Sequence, residues 1–415
     1  MSFIKQTSNK PKNIKYHNQK LILSMFQRAE SLSIAEIAAQ INLSKTTLTK
    51  VVNKFESKQI ILATGKGNST GEGGGRKPEI FTFNAAYSHF VVLAIQRKTI
   101  AGAVMDLKCN VLCQKTVDCD IHVNYREAIQ ILADMVYALI KESKLSFKDF
   151  CSIVVGCEGI IDAQNGIIRY TIHHVWDPNM TIQKDLSERL PFPIPIYVNN
   201  NDKLAGYSQI SFNGHENDPL AVIINTPYSA GGSILENRQL ISGTNGFIGE
   251  LGHIIIEPHS DVKCSCGGYG CFGSLVSTAT VLEKAYGSCA GYPKSVLFEK
   301  AKAKSLTIND IFTAANENDS FACSVLDEVI YYFSILIHNI VLLRDPEKII
   351  IQGVYSEAGD FFLNKLREKV YSLPFYRMEY KIPLEYGQVS NISPYLRGAG
   401  DFAVKRFLDD NSLYD

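Results

Sequence analysis

The chain has 415 residues, of which 46% are hydrophobic and 20% are charged, and its net charge at neutral pH is zero. This length predicts two or three domains, and this composition is typical of a soluble globular protein. The 10 cysteines follow a polar, lysine-rich stretch at residues 1–20 rather than a signal peptide, which favours the reducing cytoplasm over a secreted disulfide framework.

The zero net charge hides an uneven distribution along the chain. Residues 1–77 contain 13 lysines and arginines but only 4 acidic residues, so this segment carries +9 and residues 78–415 carry −9. A basic segment on an acidic body predicts a polyanionic partner for the segment alone.

Three helical patterns follow one another in the basic segment. Ser33 and Glu36 form a capping box at the start of the second pattern, and Ser44 can cap the third. Two short helices joined by a tight turn predict a helix-turn-helix motif. The apolar stripes recur at helical spacing, at Ile22, Met25, Phe26 and Ala29; at Ile34, Ile37, Ala38 and Ile41; and at Leu48, Val51, Val52 and Phe55.

The third helix is the predicted DNA-reading helix, because short polar side chains and lysines near its N-terminus suit base edges and phosphates. A strand, a glycine-rich basic loop and a second strand follow at 60–83 and predict a wing. The alternative is a three-helix protein-interaction module with a charged outer face. The predicted contacts to double-stranded DNA are Ser44, Lys45, Thr46, Thr47, Thr49, Lys50, Asn53, Arg76 and Lys77.

From residue 90 onward, short apolar strands alternate with helices, which predicts α/β domains with ligands at the carboxyl ends of strands. Helices are predicted at 125–141 and 324–343. The apolar run at 335–343 is interrupted by polar residues and is too short to cross a bilayer, so no membrane contact is predicted. Strands are predicted at 90–95, 100–105, 111–117, 153–156, 195–198, 220–224 and 348–351.

One imidazole and three thiols lie close together in the sequence, at His253, Cys264, Cys266 and Cys271. A Cys3His set is a common structural zinc site, and the glycines between the thiols let a short loop curl around a metal. The alternative is three free cysteines in a glycine-rich turn. Because four protein ligands leave no open position for water, the predicted zinc is structural rather than catalytic.

These motifs resemble the ROK family of repressors and sugar kinases, and specifically its repressor branch. The resemblance covers essentially the whole chain and depends on the Gly-Glu-Leu-Gly-His motif at 249–253, the Cys-x-Cys-Gly-x-x-Gly-Cys run at 264–271, the segment at 343–351 and the N-terminal winged helix. It implies an α/β fold with a winged helix-turn-helix domain before a two-lobed, sugar-kinase-like (actin-like ATPase) body that works as a homodimer or homotetramer. The implied divisions are a DNA-binding domain at 1–83, lobes at 84–200 and 201–385, and a C-terminal helix at 386–415 that returns to the first lobe.

The resemblance also indicates that kinase activity has been lost, so no ATP is expected. The phosphate loop of ROK kinases falls on residues 94–99, where large side chains replace its acid and glycines, and the second glycine-rich loop is depleted at 226–232. The catalytic acid falls on Asn201, and an amide cannot accept a proton from a sugar hydroxyl. A one-residue slip that presents Asp202 instead stays open.

The implied effector is a sugar or sugar phosphate bound between the lobes. The contacts that the resemblance implies are Asn200, Asn201, Glu250, His253 and His173. Two departures leave the identity of the ligand open: Gly273 stands where the family has a glutamate, and His173 stands where it has an asparagine. Trp176 is predicted either to pack on a sugar face or to belong to the core. A vestigial pocket without a ligand is the alternative.

Together these features predict a cytoplasmic repressor of carbohydrate genes that binds a palindromic operator and is released by its effector. A ROK sugar kinase that retains a DNA-binding domain is the alternative from the enzyme class. A third hypothesis is a sensor that binds a protein of the phosphotransferase system.

Overall fold

The computed structural model describes residues 11–66, 77–119, 124–171, 176–212, 220–226, 230–237, 239–373, 381–388 and 391–415. An N-terminal helical module precedes two α/β lobes, and a last helix packs back on the first lobe. The elements of the module are α1 (Pro11–Arg28), β1 (Leu32–Ser33), α2 (Ile34–Gln40), α3 (Lys45–Ser57), β2 (Ile61–Lys66) and β3 (Glu79–Phe83).

The N-terminal module has the predicted winged helix-turn-helix arrangement. Its strands form one sheet in the order β1-β3-β2, and β2 and β3 pair antiparallel as the two sides of a wing. The capping box is confirmed, since the Glu36 backbone N–H donates to Ser33 Oγ at 3.2 Å and the Glu36 carboxylate accepts from the Ser33 N–H at 2.7 Å. The Thr47 N–H donates to Ser44 Oγ at 3.2 Å, which caps α3. The tip of the wing, including Arg76, lies outside the described residues.

The first lobe is built on a five-stranded sheet in the order β10-β7-β4-β5-β6. The predicted meander is confirmed, because β4, β5 and β6 pair antiparallel in sequence order, whereas β7 and β10 join in parallel. The elements are β4 (His89–Ile95), β5 (Thr99–Asp106), β6 (Val111–Asp118), α4 (Tyr125–Ser143), β7 (Phe150–Cys157), β8 (Ile160–Asp162), β9 (Ile167–Tyr170), α5 (Ile182–Ser187) and β10 (Ile196–Asn200).

The second lobe contains another five-stranded sheet, in the order β13-β12-β11-β14-β15, with β14 parallel to β11. The helix α6 (Asn201–Phe212) leaves the end of β10 and packs against β12, so it connects the two lobes. The remaining elements are β11 (Leu220–Thr226), β12 (Gly231–Glu236), β13 (Gln239–Leu240), α7 (Phe272–Leu275), α8 (Thr278–Ser288), α9 (Phe298–Lys302), α10 (Ile308–Asn316), α11 (Ser320–Arg344), β14 (Lys348–Gly353), α12 (Gly359–Tyr371) and β15 (Leu384–Tyr386).

Helix α11 is longer than its sequence pattern predicts, with 25 residues from Ser320 to Arg344. By length and composition alone it is the one helix among the described residues that could cross a membrane. Half of its most apolar window is buried within the protein, however, and Phe321, Leu326 and Phe333 are part of the core of the second lobe. These contacts make α11 the central helix of that core.

The C-terminal helix α13 (Pro394–Leu408) packs against α6 and against strands β4 and β7 of the first lobe. The approach to α6 is close, since a Cβ on Gly398 would lie 1.7 Å from the Leu204 carbonyl oxygen. Only a glycine permits this contact between the two backbones. The domain divisions after residues 83, 200 and 385 stay predictions.

Candidate functional site

The first candidate surface is the outer face of α3. The apolar stripe of the helix is buried in the module, with Leu48, Val52 and Phe55 fully inaccessible. A helix that buries one stripe turns its other side outward, so its polar residues are free to contact a ligand. Lys77, two residues before β3, is also exposed. The exposed predicted contacts on and before α3 are Ser44, Lys45, Thr46, Thr47, Thr49, Lys50 and Asn53.

The second candidate site is the region between the two lobes where α6 begins, which we call the cleft. Asn200 caps this helix: its Oδ1 accepts from the backbone N–H groups of Asp202 at 2.8 Å and Lys203 at 3.2 Å. Its Nδ2 donates to the Gly159 carbonyl oxygen at 2.8 Å. Asn200 therefore has one amide hydrogen left for a ligand, and its main role in the structure is to hold the start of α6.

Asn201 is better placed to offer a free polar atom. It is buried, and its Nδ2 donates to the Ile95 carbonyl oxygen at 2.7 Å. Its Oδ1 is buried without a hydrogen-bond partner among the described residues. A Cβ on Gly156 would lie 2.3 Å from this oxygen, so the glycine makes room for it. A buried acceptor without a partner is costly, which marks Asn201 as a candidate ligand contact.

The segment that replaces the kinase phosphate loop is a tight turn between β4 and β5. The Gln96 N–H donates to the Thr99 carbonyl oxygen at 2.9 Å and closes the turn. The turn carries large side chains, including Arg97, whose positive charge acts on the carboxylate of Glu158. Large side chains keep a ligand phosphate from the backbone N–H groups that a glycine loop would present. This geometry fits the sequence interpretation that the phosphate loop is lost.

Three acidic side chains and one lysine are gathered in the cleft. Lys203 Nζ lies 3.6 Å from Glu250 Oε1, and Asn225 Nδ2 donates to Asp202 Oδ1 at 2.6 Å. Burial raises the pKa of Glu158 and of Glu250 to about 7, and it raises the pKa of Asp202 to about 6. The charge of Asp202 adds to the rise at both glutamates. These carboxyl groups can therefore donate or accept hydrogen bonds near neutral pH.

Sequence reasoning did not single out Glu158, Lys203 or Asn225 for this cleft. The sequence carried a signal for two of them, because both lie at carboxyl ends of strands: Glu158 directly follows β7, and Asn225 is the next-to-last residue of β11. Lys203 carried no such signal. Asp202 faces Asn225, and a Cβ on Gly231 would lie 2.1 Å from its Oδ2, so its side chain points toward the second lobe.

The raised pKa values lead to a pH-dependent stability. The folded protein keeps a proton on Glu158 up to about pH 7, whereas the unfolded chain loses it near pH 4. The contribution of this proton to the free energy of unfolding is therefore complete below pH 4 and is lost as the pH rises through 7. We expect Glu158→Gln to remove on the order of 2 kcal/mol of this decline. Urea unfolding at pH 5 and pH 8 measures the fall in the free energy of unfolding between these pH values. The exposed Glu317→Gln is the control. Equal declines in the wild type and in Glu158→Gln would contradict the prediction.

The third candidate site is the His/Cys cluster, which the structure brings together as predicted. One ligand atom each from His253, Cys264, Cys266 and Cys271 lies within 4.8 Å of the others. The Sγ atoms of Cys266 and Cys271 are 3.8 Å apart, and Cys264 Sγ lies 3.5 Å from His253 Nδ1. A tetrahedral zinc with Zn–S bonds of about 2.3 Å requires sulfur–sulfur edges of about 3.8 Å. The donor set and its spacing therefore fit a four-coordinate metal, which would be held through Nδ1 and leave Nε2 of His253 for another contact.

Glycines hold the cluster beside the cleft. Gly270 has φ +65°, and its Cβ would lie 1.9 Å from the Glu257 carbonyl oxygen. A Cβ on Gly252 would lie 1.7 Å from the Ala230 carbonyl oxygen, so the turn that carries Glu250 and His253 packs directly on the backbone before β12. A larger residue at 270 would clash with the backbone of the loop itself, and one at 252 would push the turn away from Ala230.

Two further expectations have different outcomes. Trp176 is only 9% exposed and packs edge-to-face on Tyr125 at 5.5 Å, so of its two predicted roles the structure supports the one in the core of the first lobe. Its size and the apolar strands around it favour burial. His173 lies outside the described residues. Gly273 is buried in α7 and offers no side chain to the cleft.

Comparisons with known proteins agree with this geometry. The ROK family model matches residues 92–386, and a winged helix-turn-helix DNA-binding model matches residues 17–61. The chain is 25% identical to the xylose repressor of Bacillus subtilis over 397 residues, which cover 95% of this chain and 97% of the repressor. It is 29% identical to a glucokinase of Halalkalibacterium halodurans over 246 residues, which cover 59% of this chain and 74% of the enzyme.

Among solved structures, the chain resembles a ROK family transcriptional regulator that is a homologue of the E. coli MLC protein. The TM-score is 0.76 at 22% identity, and the match covers 96% of this chain and 98% of that one. This likeness supports the fold, including the order of a winged module and a two-lobed body. Because the ROK model spans most of the chain, the chain belongs to the ROK family.

Proposed function

We propose that this protein is a sugar-responsive transcriptional repressor of carbohydrate genes that acts in the cytoplasm. The observation that carries the proposal is the exposed polar face of α3 on a winged module that is joined to a ROK body. The module would bind double-stranded DNA, and the body would sense the effector. The similarity to a xylose repressor along nearly the whole chain supports this division of labour.

The N-terminal residues of α3 would enter the major groove, while Lys77 and Arg76 of the wing would contact the backbone or the minor groove. A repressor of this kind pairs two modules on a palindromic operator, so we propose a homodimer or homotetramer. The body, which carries the compensating negative charge, would stay away from the DNA.

We propose that the effector is a sugar or sugar phosphate bound at the start of α6. Asn201 would receive a ligand hydroxyl on its unpartnered Oδ1, and Glu250 and His253 would contact the ligand from the second lobe. Asn200 would hold the helix and add at most one hydrogen bond, and His173 is proposed as a further contact from the first lobe.

The metal in the His/Cys cluster is proposed to be zinc with a structural role. The cluster supplies four ligands, so a bound zinc would have no open position for water and would stabilise the loop instead. Its neighbours in sequence carry the effector contacts, so the metal would fix their positions.

We infer that the body does not transfer phosphate, so the kinase alternative should fail. The turn at 96–98 cannot cradle phosphates, and Asn201 cannot act as a base. We expect no ADP release above the background rate with ATP and a panel of pentoses, hexoses and amino sugars, and no gain from Asn201→Asp. Turnover that Asp202→Asn abolishes would overturn this inference.

The test of the proposed function is a titration of the DNA upstream of the protein's own gene, with and without sugars. Binding should weaken as salt rises, and one sugar or sugar phosphate of the panel should weaken it at least about tenfold. The exposed Lys302→Ala in α9 is the control and should bind like the wild type. No binding at any salt would refute the proposal. A pull-down that recovers a phosphotransferase protein and no sugar-dependent release would favour the protein-sensing hypothesis.

A further inference from the structure

The last residues of the chain pack on the DNA-binding module as well as on helix α13 of the body. Tyr414 is 1% exposed, and its ring lies 6.3 Å from the rings of both Tyr16 in α1 and Phe55 in α3. Leu413 is buried beside it, and both residues belong to the same core cluster as the apolar stripes of the winged module. Residues 411–415, which we call the C-terminal clasp, therefore complete the core of the module.

Two lysines bind the main chain of the clasp: Lys54 in the last turn of α3 and Lys58 directly after the helix. Lys54 Nζ donates to the Tyr414 carbonyl oxygen at 2.7 Å and to Gln19 Oε1 at 3.2 Å. Lys58 Nζ donates to the carbonyl oxygens of Leu413 at 3.0 Å and Asp415 at 3.2 Å. Partial burial lowers the pKa of Lys54, and the nearby positive charges of Lys58 and Lys15 lower it further. Lys54 lies one turn after Lys50 on the helix, but its amine is bound by the clasp and by Gln19, whereas Lys50 is exposed.

The clasp also continues directly from the helix that touches the cleft. Helix α13 ends at Leu408, and the Tyr414 hydroxyl donates back to the Leu408 carbonyl oxygen at 2.7 Å. Near its start, α13 packs through Gly398 on the backbone of α6 at Leu204. Leu204 lies in the same first turns of α6 as Asn201, whose buried Oδ1 has no hydrogen-bond partner among the described residues. Helix α13 and the clasp thus connect the start of α6 to the DNA-reading helix.

We propose that the C-terminal clasp positions α3 for DNA binding, and that Lys54 and Lys58 are positioning residues that bind the clasp instead of DNA phosphates. Only the lysines on the exposed face then neutralise phosphates. The orientation of α3 follows α13, and an effector can change it only by binding better to one arrangement of α6 and α13 than to another. This inference rests on the proposed DNA-binding function, because it assigns a role within it.

The first arm of the test is hydrogen exchange on the full chain and needs no DNA. Tyr414→Ala removes the buried ring, and we expect faster exchange of backbone amides in α1 and α3 with no change in β11 and β14 of the second lobe. The exposed Ser412→Ala in the same segment is the control and should exchange like the wild type. If Tyr414→Ala fails to fold, Lys54→Ala with Lys58→Ala gives the same readout with less loss of packing. Wild-type exchange in α1 and α3 of the folded variants would overturn the proposal.

The second arm measures the salt dependence of binding to a short DNA duplex of random sequence. Each lysine that contacts a phosphate contributes about 0.9 to the slope of log K against log salt. Lys50→Ala should lower the slope by about 1, whereas Lys54→Ala with Lys58→Ala should weaken binding about tenfold with the wild-type slope. Lys54→Arg keeps a donor and should recover most of the loss.

The outcomes separate this proposal from the function on which it rests. A slope lowered by about 2 in the Lys54, Lys58 double variant would show that these lysines contact phosphates and would overturn the positioning role. If the wild type binds no duplex at low salt, the proposed function fails, and the hydrogen-exchange arm still decides whether the clasp holds α3.

Discussion

Cys266→Ser is expected to remove the bound metal and to loosen the effector cleft while the rest of the fold remains. Cys266 is the exposed member of the cluster, so replacing its sulfur by oxygen costs little packing. Any large effect must therefore come from the lost thiolate, which is a far better zinc ligand than a hydroxyl. Loss of a residue that only hydrogen-bonds to a metal ligand lowers metal affinity by up to about 100-fold. Cys266 would bind the metal itself, so we expect zinc affinity to fall by more than that.

The structure shows how far this loss should spread. Around the cluster, the Ile256 N–H donates to the Gly270 carbonyl oxygen at 2.9 Å, and the Phe272 N–H donates to the Ile254 carbonyl oxygen at 2.8 Å. These bonds tie the loop to Phe272, which packs on Phe333 of α11 at 4.9 Å between ring centroids. The loop that follows Glu250 should therefore become mobile, while the N-terminal module should keep its helices.

Metal analysis and thermal unfolding measure this prediction. The wild type should hold about one zinc per chain and lose stability with a chelator, whereas Cys266→Ser should hold almost none and show no response to the chelator. Cys289→Ser, at a thiol outside the cluster, is the matched control and should keep its zinc. Full zinc occupancy in Cys266→Ser would contradict the account of the cluster.

Lys45→Ala combined with Lys50→Ala is expected to cause the largest loss of DNA binding. Both side chains are exposed on α3, and the first turn of this helix is held by the Ser44 cap. Each phosphate or base contact of this kind accounts for about 1–3 kcal/mol, so we expect affinity to fall on the order of 100-fold. The slope of log K against log salt should decrease by about 2, because two phosphate contacts are lost.

A DNA titration at several salt concentrations measures both quantities. Stability should be unaffected, since neither lysine packs in the core of the module. A matched control is Lys300→Ala with Lys302→Ala, which removes two charges from α9 and should leave binding unchanged. If this control weakens binding as much as the α3 variant, then net charge rather than the face of α3 determines binding, and the DNA-reading role of α3 is wrong.

The parts of this molecule that sequence reasoning predicts are those with local signals. The capping box at Ser33 and Glu36, the stripe of α3 and the Cys/His spacing each lie within a few residues or one loop, and the structure has all three. Local patterns determine such features because a helix cap hydrogen-bonds the backbone beside it, and a short metal loop supplies most of the ligands of its metal. The α/β lobes are likewise indicated by alternating apolar runs.

The features that sequence reasoning missed depend on contacts between distant segments. Asn200 has a side chain typical of a sugar contact, yet its amide caps α6 and donates a hydrogen bond to the Gly159 carbonyl oxygen. Lys54 looks like one more lysine of a basic helix, but its partner is the carbonyl oxygen of Tyr414, 360 residues away. No periodicity encodes such a pairing, so it becomes visible only when the fold brings the segments together.

A selection of bound fragments from sheared genomic DNA, repeated with each sugar of the panel, tests whether this protein is a sugar-responsive repressor of carbohydrate genes. We expect enrichment of a few inverted repeats upstream of carbohydrate genes, and one sugar or sugar phosphate should abolish this enrichment. Lys45→Ala with Lys50→Ala should enrich nothing. Fragments recovered at their input frequencies with the wild-type protein, in the presence and absence of every sugar, would contradict it.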